Sequence, residues 1–371
     1  DYYQGGAHTD TVDFTEIAGD IGDITVTLSN SGDATILLSA VANQTASLIE
    51  NLYGGDGNDY IEGNDVANEL LGGDGNDTLI GGLGNDILNG QGGTDVVDYS
   101  GRSAGFTSTT INLSTDTTIF STGEQDTITL IENVIGTQQD DTITLQNGQV
   151  NVIDAQDGDD VMITSSGAVD TIDGGDGSDE VDYSANADVT GTGIYVQLSG
   201  GNLVGVRQTN SGGAIVDYIK NVEEIVGTGQ ADTIILDDNA NVITANNGND
   251  TITGSQNAVG DTINGGGGSA DHLTYLNIND NITVSLLDNA TGFTNLTRGS
   301  TNDSIRNFEN LTTGNGSDYI VGSDVTNVIN SSNGNDTVFG GGGDDTINAG
   351  NGSDVVYGDD GNDVDHVVSS R

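Results

Sequence analysis

The feature that most constrains this chain is a glycine-rich unit of nine residues that recurs in tandem. Residues 54–98 divide into five such units and residues 313–366 into six, and looser blocks of the same kind occupy 136–182 and 227–274. Glycine recurs at positions 1, 2 and 4 of the unit, aspartate at position 6 and an aliphatic residue at position 8. Because glycine tolerates crowded and left-handed backbone conformations and aspartate favours turns, positions 1–6 predict a turn. Positions 7–9 predict a short strand.

The single aliphatic residue of each strand decides how such units can pack. A three-residue strand with one inward side chain buries little by itself, so the units must stack on one another to form a core. Two units then make one coil of 18 residues, with their strands on opposite walls of a thin parallel roll. No helical period persists over three turns, so we predict an all-β protein. The aliphatic residues expected to point inward are Ile61, Leu79, Leu88, Val97, Ile143, Ile172, Val181, Ile234, Ile252, Ile320 and Ile347.

A longer period encloses the nine-residue one. Each block opens with a glutamate at position 6 of its first turn, carries an asparagine at position 6 of its second full unit, and ends on an aromatic residue. The glutamates are Glu50, Glu132, Glu223 and Glu309, the asparagines are Asn68, Asn151, Asn241 and Asn327, and the aromatic residues are Phe14, Tyr99, Tyr183 and Tyr275.

This longer period predicts the domain organisation. Residues 1–13 form the tail of a preceding block, so we expect the chain to be a piece of a longer protein. Four modules follow at 14–98, 99–182, 183–274 and 275–371. Their connectors are 14–49, 99–131, 183–222 and 275–308, and their rolls are 50–98, 132–182, 223–274 and 309–371.

The connectors carry strands of their own. Each has apolar residues at every second position, which is typical of a half-buried strand. The alternating residues are Ile24-Val26-Leu28, Ile111-Leu113, Ile194-Val196-Leu198 and Ile282-Val284-Leu286. Three connectors add an Asp-x-Ile further on, at Asp126/Ile128, Asp217/Ile219 and Asp303/Ile305. We interpret the connectors as β-hairpins or modified coils packed on the roll.

Charge and composition exclude several classes of protein. The chain has 58 acidic and 6 basic residues, so its formal net charge of −52 opposes binding to nucleic acids and to anionic membrane surfaces. No apolar run approaches the ~20 residues that span a bilayer. Cysteine is absent, which removes disulfides and thiolate metal sites. With only 33% hydrophobic residues, the chain is either disordered or stabilised by bound cations.

The unit resembles the nonapeptide GGxGxDxUx of the RTX family, as in GGDGNDTLI at 72–80. The resemblance covers a little over half of the chain. It implies right-handed parallel β-roll blocks in tandem, joined by β-rich connectors. It also implies Ca²⁺ between turns stacked along one edge, held by turn carbonyls and by position-6 carboxylates one coil apart.

Carried onto this sequence, the resemblance gives a set of calcium ligands. They would be Asp10, Asp59, Asp77, Asp86, Asp95, Asp141, Asp160, Asp170, Asp179, Asp232, Asp250, Asp261, Asp271, Asp318, Asp336, Asp345, Asp354 and Asp363. The pairs expected to share an ion are Asp59/Asp77, Asp77/Asp95, Asp160/Asp179, Asp232/Asp250, Asp318/Asp336, Asp336/Asp354 and Asp345/Asp363. We expect roughly 12–18 ions. Any single aspartate could instead only favour its turn, but stacked like charges repel strongly without cations.

Some position-6 residues leave the prediction open. An asparagine there weakens or abolishes the site, or builds an amide ladder instead. A glutamate has a longer reach, so whether it binds an ion stays open. The blocks 136–182 and 227–274 contain units of ten and eleven residues, in which plain turns are as good a reading as metal sites.

Catalytic patterns are weak in this sequence. Residues 101–105 match G-x-S-x-G, but that motif requires a strand–turn–helix context that the connector does not provide. The histidines His8, His272 and His366 belong to no zinc motif. We therefore predict no enzyme.

The combined reading is a secreted calcium-binding structural protein that folds and assembles on Ca²⁺ outside the cell. The resemblance implies export by type I secretion and suits a surface layer, an adhesin stalk or a matrix. Self-association into a lattice or filament is expected, without nucleic-acid partners or a membrane span, and a cell-surface glycan is a further possible partner. The alternative is a Ca²⁺-dependent accessory segment of a larger RTX toxin or enzyme.

Overall fold

The structure, a computed structural model, describes residues 2–4, 10–14, 24–28, 33–38, 41–47, 49–102, 105–186, 191–208, 213–256, 259–276, 278–286 and 292–369. These residues form strands and turns, with no helix among them. In particular, none of the described segments is a helix of the length and apolar character needed to cross a membrane. The chain divides into two compact units, Asp1–Asp179 and Glu180–Arg371.

The first unit contains nineteen strands, most of them three to six residues long. They are β1 Tyr2–Gln4, β2 Thr11–Asp13, β3 Ile24–Leu28, β4 Asp33–Leu38, β5 Val41–Ser47, β6 Asn51–Asp56, β7 Tyr60–Glu62, β8 Glu69–Asp74, β9 Thr78–Ile80, β10 Ile87–Gly92, β11 Val96–Asp98, β12 Ser108–Asn112, β13 Thr117–Phe120, β14 Gln125–Thr129, β15 Asn133–Ile135, β16 Asp140–Thr144, β17 Val152–Asp154, β18 Val161–Ile163 and β19 Asp170–Asp173.

The second unit contains the other twenty strands. They are β20 Glu180–Asp182, β21 Ile194–Gln197, β22 Val204–Gln208, β23 Ile215–Lys220, β24 Glu224–Val226, β25 Thr233–Ile235, β26 Val242–Thr244, β27 Thr251–Thr253, β28 Thr262–Asn264, β29 His272–Thr274, β30 Ile282–Ser285, β31 Thr294–Arg298, β32 Thr301–Arg306, β33 Asn310–Thr312, β34 Tyr319–Val321, β35 Val328–Asn330, β36 Thr337–Gly342, β37 Thr346–Gly352, β38 Val355–Asp360 and β39 Val364–Ser369.

Each unit is built from two sheets. The sheets of the first unit have the orders β1-β5-β4-β3-β7-β9-β11-β15-β17-β19 and β2-β6-β8-β10-β14-β13-β12-β16-β18. Those of the second unit have the orders β23-β22-β21-β25-β27-β29-β33-β35-β37-β39 and β20-β24-β26-β28-β32-β31-β30-β34-β36-β38. Within a roll, successive strands of the chain alternate between the two sheets and pair in parallel with the strand one coil away.

The core consists of aliphatic ladders between the two sheets. Every aliphatic residue that the sequence placed inward is fully buried, at 0% exposure. In one ladder, Leu79 lies opposite Ile61 on one side and Val97 on the other. Identical spacing therefore produces columns of touching side chains along each wall, which no strand could bury alone. The predicted all-β class with parallel roll blocks is confirmed.

The connectors differ from the prediction in where they lie. They are modified coils, but they are built into the walls and are not packed on them. In the second connector, the third strand β14 pairs in parallel with β10 of the preceding roll, and the first strand β12 pairs in parallel with β16 of the following roll. The middle strand β13 is antiparallel to both. This arrangement pairs sheet edges that would otherwise be open at the roll ends.

The same meander recurs in the other connectors. Strands β3–β5 and β12–β14 are inserted into different sheets of the first unit, as are β21–β23 and β30–β32 in the second. Each unit thus holds one connector in each wall. The exact division into four modules stays a prediction.

Candidate metal centres

The position-6 side chains form rows along the turns. Most of them are buried, and Asp95 in a regular block and Asp160 in an irregular block are both 0% exposed. Along a row, Oδ1 accepts a hydrogen bond from the backbone N–H of the position-6 residue one coil earlier, as in Asp77 N–H to Asp95 at 2.8 Å. The same bond recurs at each coil of 18 residues in the regular blocks and of 19 residues in 136–182. The rows therefore bring the predicted aspartates together.

All seven predicted pairs are neighbours in these rows. The pairs Asp59/Asp77, Asp77/Asp95, Asp160/Asp179, Asp232/Asp250, Asp318/Asp336, Asp336/Asp354 and Asp345/Asp363 are joined by such bonds of 2.7 to 3.0 Å. The remaining candidates Asp10, Asp86, Asp141, Asp170, Asp261 and Asp271 lie in the same rows, next to Glu50, Asn68, Asp160, Asn151, Asn241 and Asp250. That these residues coordinate an ion stays a prediction.

The second carboxylate oxygen of many of these residues is buried without a hydrogen-bond partner. This holds for Oδ2 of Asp86, Asp95, Asp160, Asp250, Asp271, Asp318, Asp336, Asp345 and Asp354. A buried carboxylate oxygen that has lost its bound water without gaining a hydrogen bond or a cation destabilises the fold. A bound cation would satisfy these oxygens.

The first-position glycine shows what faces such an oxygen. A Cβ built on Gly340 would lie 2.4 Å from Oδ2 of Asp345 and 2.5 Å from the carbonyl oxygen of Gly358, one coil further on. Two oxygen acceptors thus border a space that only glycine leaves open. Among the described residues, no group of three or more His, Cys, Asp or Glu side chains converges on one point. An ion here would take its other ligands from backbone carbonyls, which suits Ca²⁺.

Burial makes the bare rows electrostatically unfavourable. It raises the pKa of Asp160 to about 8 and that of Asp86 and Asp250 to about 7. It also raises the pKa to about 6 in Asp95, Asp141, Asp232, Asp261, Asp271 and Asp336, and raises that of Asp318 and Asp345. Desolvation is the largest cause in each, and neighbouring carboxylates add to it for Asp160 and Asp250. Ca²⁺ would supply the missing positive charge.

The asparagines at position 6 replace the unpaired oxygen by a donor. Nδ2 of Asn68, Asn151 and Asn327 donates to the carbonyl of Glu50, Glu132 and Glu309, respectively, at 2.6 to 2.7 Å. Their Oδ1 atoms accept N–H groups of their own turns. This geometry favours an amide network at these positions and argues against a metal site. Nδ2 of Asn241 instead bonds Asp237 at 3.3 Å.

The glutamates extend the rows at the block openings. Oε2 of Glu50, Glu132 and Glu309 accepts the N–H of Asp10, Asp95 and Asp271 at 2.8 to 2.9 Å. The carboxylate of the longer side chain thus accepts the same backbone N–H group that an aspartate Oδ1 accepts elsewhere in the rows. Glu223 lies half-buried at the corresponding position.

Two aspartates in the irregular blocks have both oxygens engaged within their own turn. The N–H and hydroxyl of Thr137 bond Asp141, and those of Thr228 bond Asp232, at 2.6 to 2.9 Å. These threonines, at the second position, close the turn as a capping hydroxyl does. The plain-turn reading is favoured at Asp141 and Asp232.

Sequence reasoning did not include two members of the rows. The N–H of Asp86 bonds Asp126 at 2.9 Å, and that of Asp261 bonds Asp303 at 3.0 Å. Both acceptors belong to the Asp-x-Ile of a connector, so that motif was the signal. It was missed because the partners are 40 and 42 residues apart and not 18.

The histidines form no catalytic group with the described residues around them. His272 is half-buried, its Nε2 lies 2.9 Å from the Thr312 hydroxyl, and burial lowers its pKa. His366 is exposed. His8 and Ser103 lie outside the described residues.

Comparison with known proteins gives one family. A family model for the RTX calcium-binding nonapeptide repeat (4 copies) matches residues 47–65, 51–70, 62–97, 156–189, 224–258, 309–338 and 330–365. Together these matches cover slightly less than half of the chain. No curated protein matches it.

Proposed function

Because four stretches of this chain are RTX calcium-binding nonapeptide repeats, which bind Ca²⁺ in multiple copies, we propose that it is a secreted structural protein that folds and assembles on Ca²⁺. Its place would be an extracellular surface layer, an adhesin stalk or a matrix. The rows of paired, buried carboxylates in both units are the observation that carries this proposal.

The charge of the chain supports a folding role for the ions. A net charge of −52 destabilises any compact state by self-repulsion, and each Ca²⁺ offsets two of those charges. Since the ligands come together only in the folded roll, the binding free energy adds to the stability of the folded state. We propose that the chain binds roughly 12–18 Ca²⁺ ions.

A structural role is supported by the repetition of the site. A catalytic site needs one unique constellation of groups, whereas here the same turn geometry recurs along both units. The connectors add further strands to the walls. Such repetition is more typical of a scaffold than of an active site.

Assembly is supported by acidic groups outside the buried rows. Asp56 and Asp74 lie opposite each other on neighbouring strands with exposed side chains. Exposed carboxylate rows of two molecules repel at low Ca²⁺ and can share ions when Ca²⁺ is abundant. Association of a repeated surface with itself extends into filaments or sheets when the contact does not close.

The test is light scattering with negative-stain microscopy of the purified chain between zero and ~10 mM Ca²⁺. We expect ordered polymers at high Ca²⁺ that disperse in EGTA, and none in NaCl of equal ionic strength. Monomers at every Ca²⁺ concentration would contradict assembly and leave the accessory segment of a larger toxin or enzyme as the better account.

A further inference from the structure

The fourth connector buries an arginine against a carboxylate pair of the rows. Arg298, at the end of β31, is 3% exposed. Its Nε lies 2.9 Å from Oδ2 of Asp303, and its Nη2 lies 3.3 Å from Oδ1 of the same carboxylate. The same Nη2 lies 3.9 Å from Oδ2 of Asp261. A single guanidinium thus faces both members of the Asp261/Asp303 pair.

The second connector also buries an arginine, but against different partners. Arg102 follows β11 and is 7% exposed. It bonds Glu124 and the carbonyl of Gly82. Oδ2 of Asp86 stays buried without a hydrogen-bond partner at this junction, so Arg102 does not take the place of a cation there.

An aromatic residue supports each guanidinium. The Arg298 guanidinium lies 5.7 Å from the ring centre of Tyr275, whose hydroxyl donates to Asp303 at 2.5 Å. The Arg102 guanidinium lies 3.5 Å from the ring centre of Phe120, which packs edge-on against Tyr99. Stacking on an aromatic ring and carboxylate pairing both favour a desolvated arginine over a lysine.

The scarcity of basic residues makes this placement notable. The whole chain has six, and none precedes Arg102. Arg298 is one of these six, and it lies at the Asp261/Asp303 pair that joins the fourth connector to the preceding roll. The first connector, at 14–49, has no basic residue and provides a natural contrast.

We propose that Arg298 is an internal cation of the roll and takes the place of a Ca²⁺ ion at the pair Asp261/Asp303. This junction is then closed without metal, whereas the regular turns require Ca²⁺. Asp261 leaves the set of calcium ligands. This inference rests on the proposed Ca²⁺-dependent folding and adds a position at which Ca²⁺ is not required.

The test compares Arg298→Gln with the parent chain by amide exchange in EGTA and by equilibrium dialysis at saturating Ca²⁺. We expect the parent to keep slow exchange in β28 and β32 without Ca²⁺. The variant should exchange there on the order of 100-fold faster, since removing one partner of a buried pair leaves a bare charge. At saturating Ca²⁺ the variant should refold and bind one ion more, because the vacated pair becomes a site.

Two further variants separate the possible outcomes. Arg298→Lys keeps the charge and should keep the ion count of the parent. Arg207→Gln removes the same charge from a side chain that bonds the carbonyl of Gly213, and should change neither measurement. Unchanged exchange in Arg298→Gln, or faster exchange with an unchanged ion count, would overturn the proposal. A parent chain that folds equally well with and without Ca²⁺ would instead refute the proposed function.

Discussion

At the scale of single residues, the first-position glycine and the position-6 aspartate depend on each other. The space in front of Asp345 is bordered by Gly340 and the carbonyl of Gly358, so any side chain at Gly340 displaces an oxygen that an ion would use. The same relation joins Gly72 to Asp77 and the carbonyl of Gly90. Glycine here is a requirement of the site as well as of the turn.

Gly340→Ala should therefore weaken the roll in the presence of Ca²⁺. The added Cβ would lie 2.4 Å from Oδ2 of Asp345, so the turn must shift. We expect a loss of about 1–3 kcal/mol in the free energy of unfolding, measured by chemical denaturation at saturating Ca²⁺. Gly229→Ala is the matched control, because nothing lies within 4 Å of its Cβ. Equal losses of stability in both variants would contradict the role given to the space in front of Asp345.

Asp336→Asn tests the aspartate side of the same relation. Asp336 lies between Asp318 and Asp354, and its Oδ2 is buried without a partner. We expect the variant to bind about one or two ions fewer by calorimetry, because a neutral amide is a weaker ligand.

The control for Asp336→Asn is Asn327→Ala, at position 6 of the preceding unit. It should keep the ion count and lose about 1–3 kcal/mol of stability, since the Glu309 carbonyl and the Ser323 N–H lose their partners. Ion loss of the same size in both variants would argue against the distinction between aspartate and asparagine positions.

At the scale of elements, the strands of each connector belong to the same sheet as the strands of a neighbouring roll. Leu296 lies in the middle strand β31 and is fully buried between neighbours on both sides. Its strand separates β30, which leads into the following roll, from β32, which completes the preceding one. A substitution that destabilises β31 should therefore destabilise both the preceding and the following roll.

Leu296→Ala is expected to cost about 2–5 kcal/mol, as for other buried leucines, and to speed amide exchange in β28 and β34 as well as in the connector. Exchange resolved by mass spectrometry in Ca²⁺ measures both. Asn295→Ala, an exposed neighbour on the same strand, should change neither. Faster exchange confined to 294–306 would show that the connector opens independently of the rolls.

How far the sequence predicts these elements depends on what repeats. Ile61 and Ile347 could be placed inward because the nine-residue period identifies the middle residue of each short strand, whose side chain points into the core. Asp126 and Asp303 could not be placed, because the connectors reverse the order of their strands and no period encodes a partner 40 residues away. The locking of Asp141 by Thr137 depends on a side-chain geometry that spacing does not contain.

At the scale of the whole molecule, charge sets the condition for folding. We expect the chain in EGTA to lose most of its strand signal in circular dichroism, apart from the strands around Arg298, and to recover it on addition of Ca²⁺. Mg²⁺ at the same concentration should recover far less, because it requires a compact octahedral shell and gives up its waters reluctantly. NaCl of equal ionic strength controls for simple screening. An unchanged strand signal at micromolar free Ca²⁺ would rule out the proposed dependence.

The reversed strand order of the connectors also bears on the time course of folding. A plain coil array grows by adding the next residues of the chain to its end. At the second connector, however, the β12–β13 hairpin has no place in the wall of the preceding roll until β14 docks on β10, and β12 keeps an open edge until β16 arrives. Closing a loop of about forty residues is slower than closing one of eighteen. Growth should therefore pause at every connector and then run quickly through a roll, so that the molecule is completed in steps.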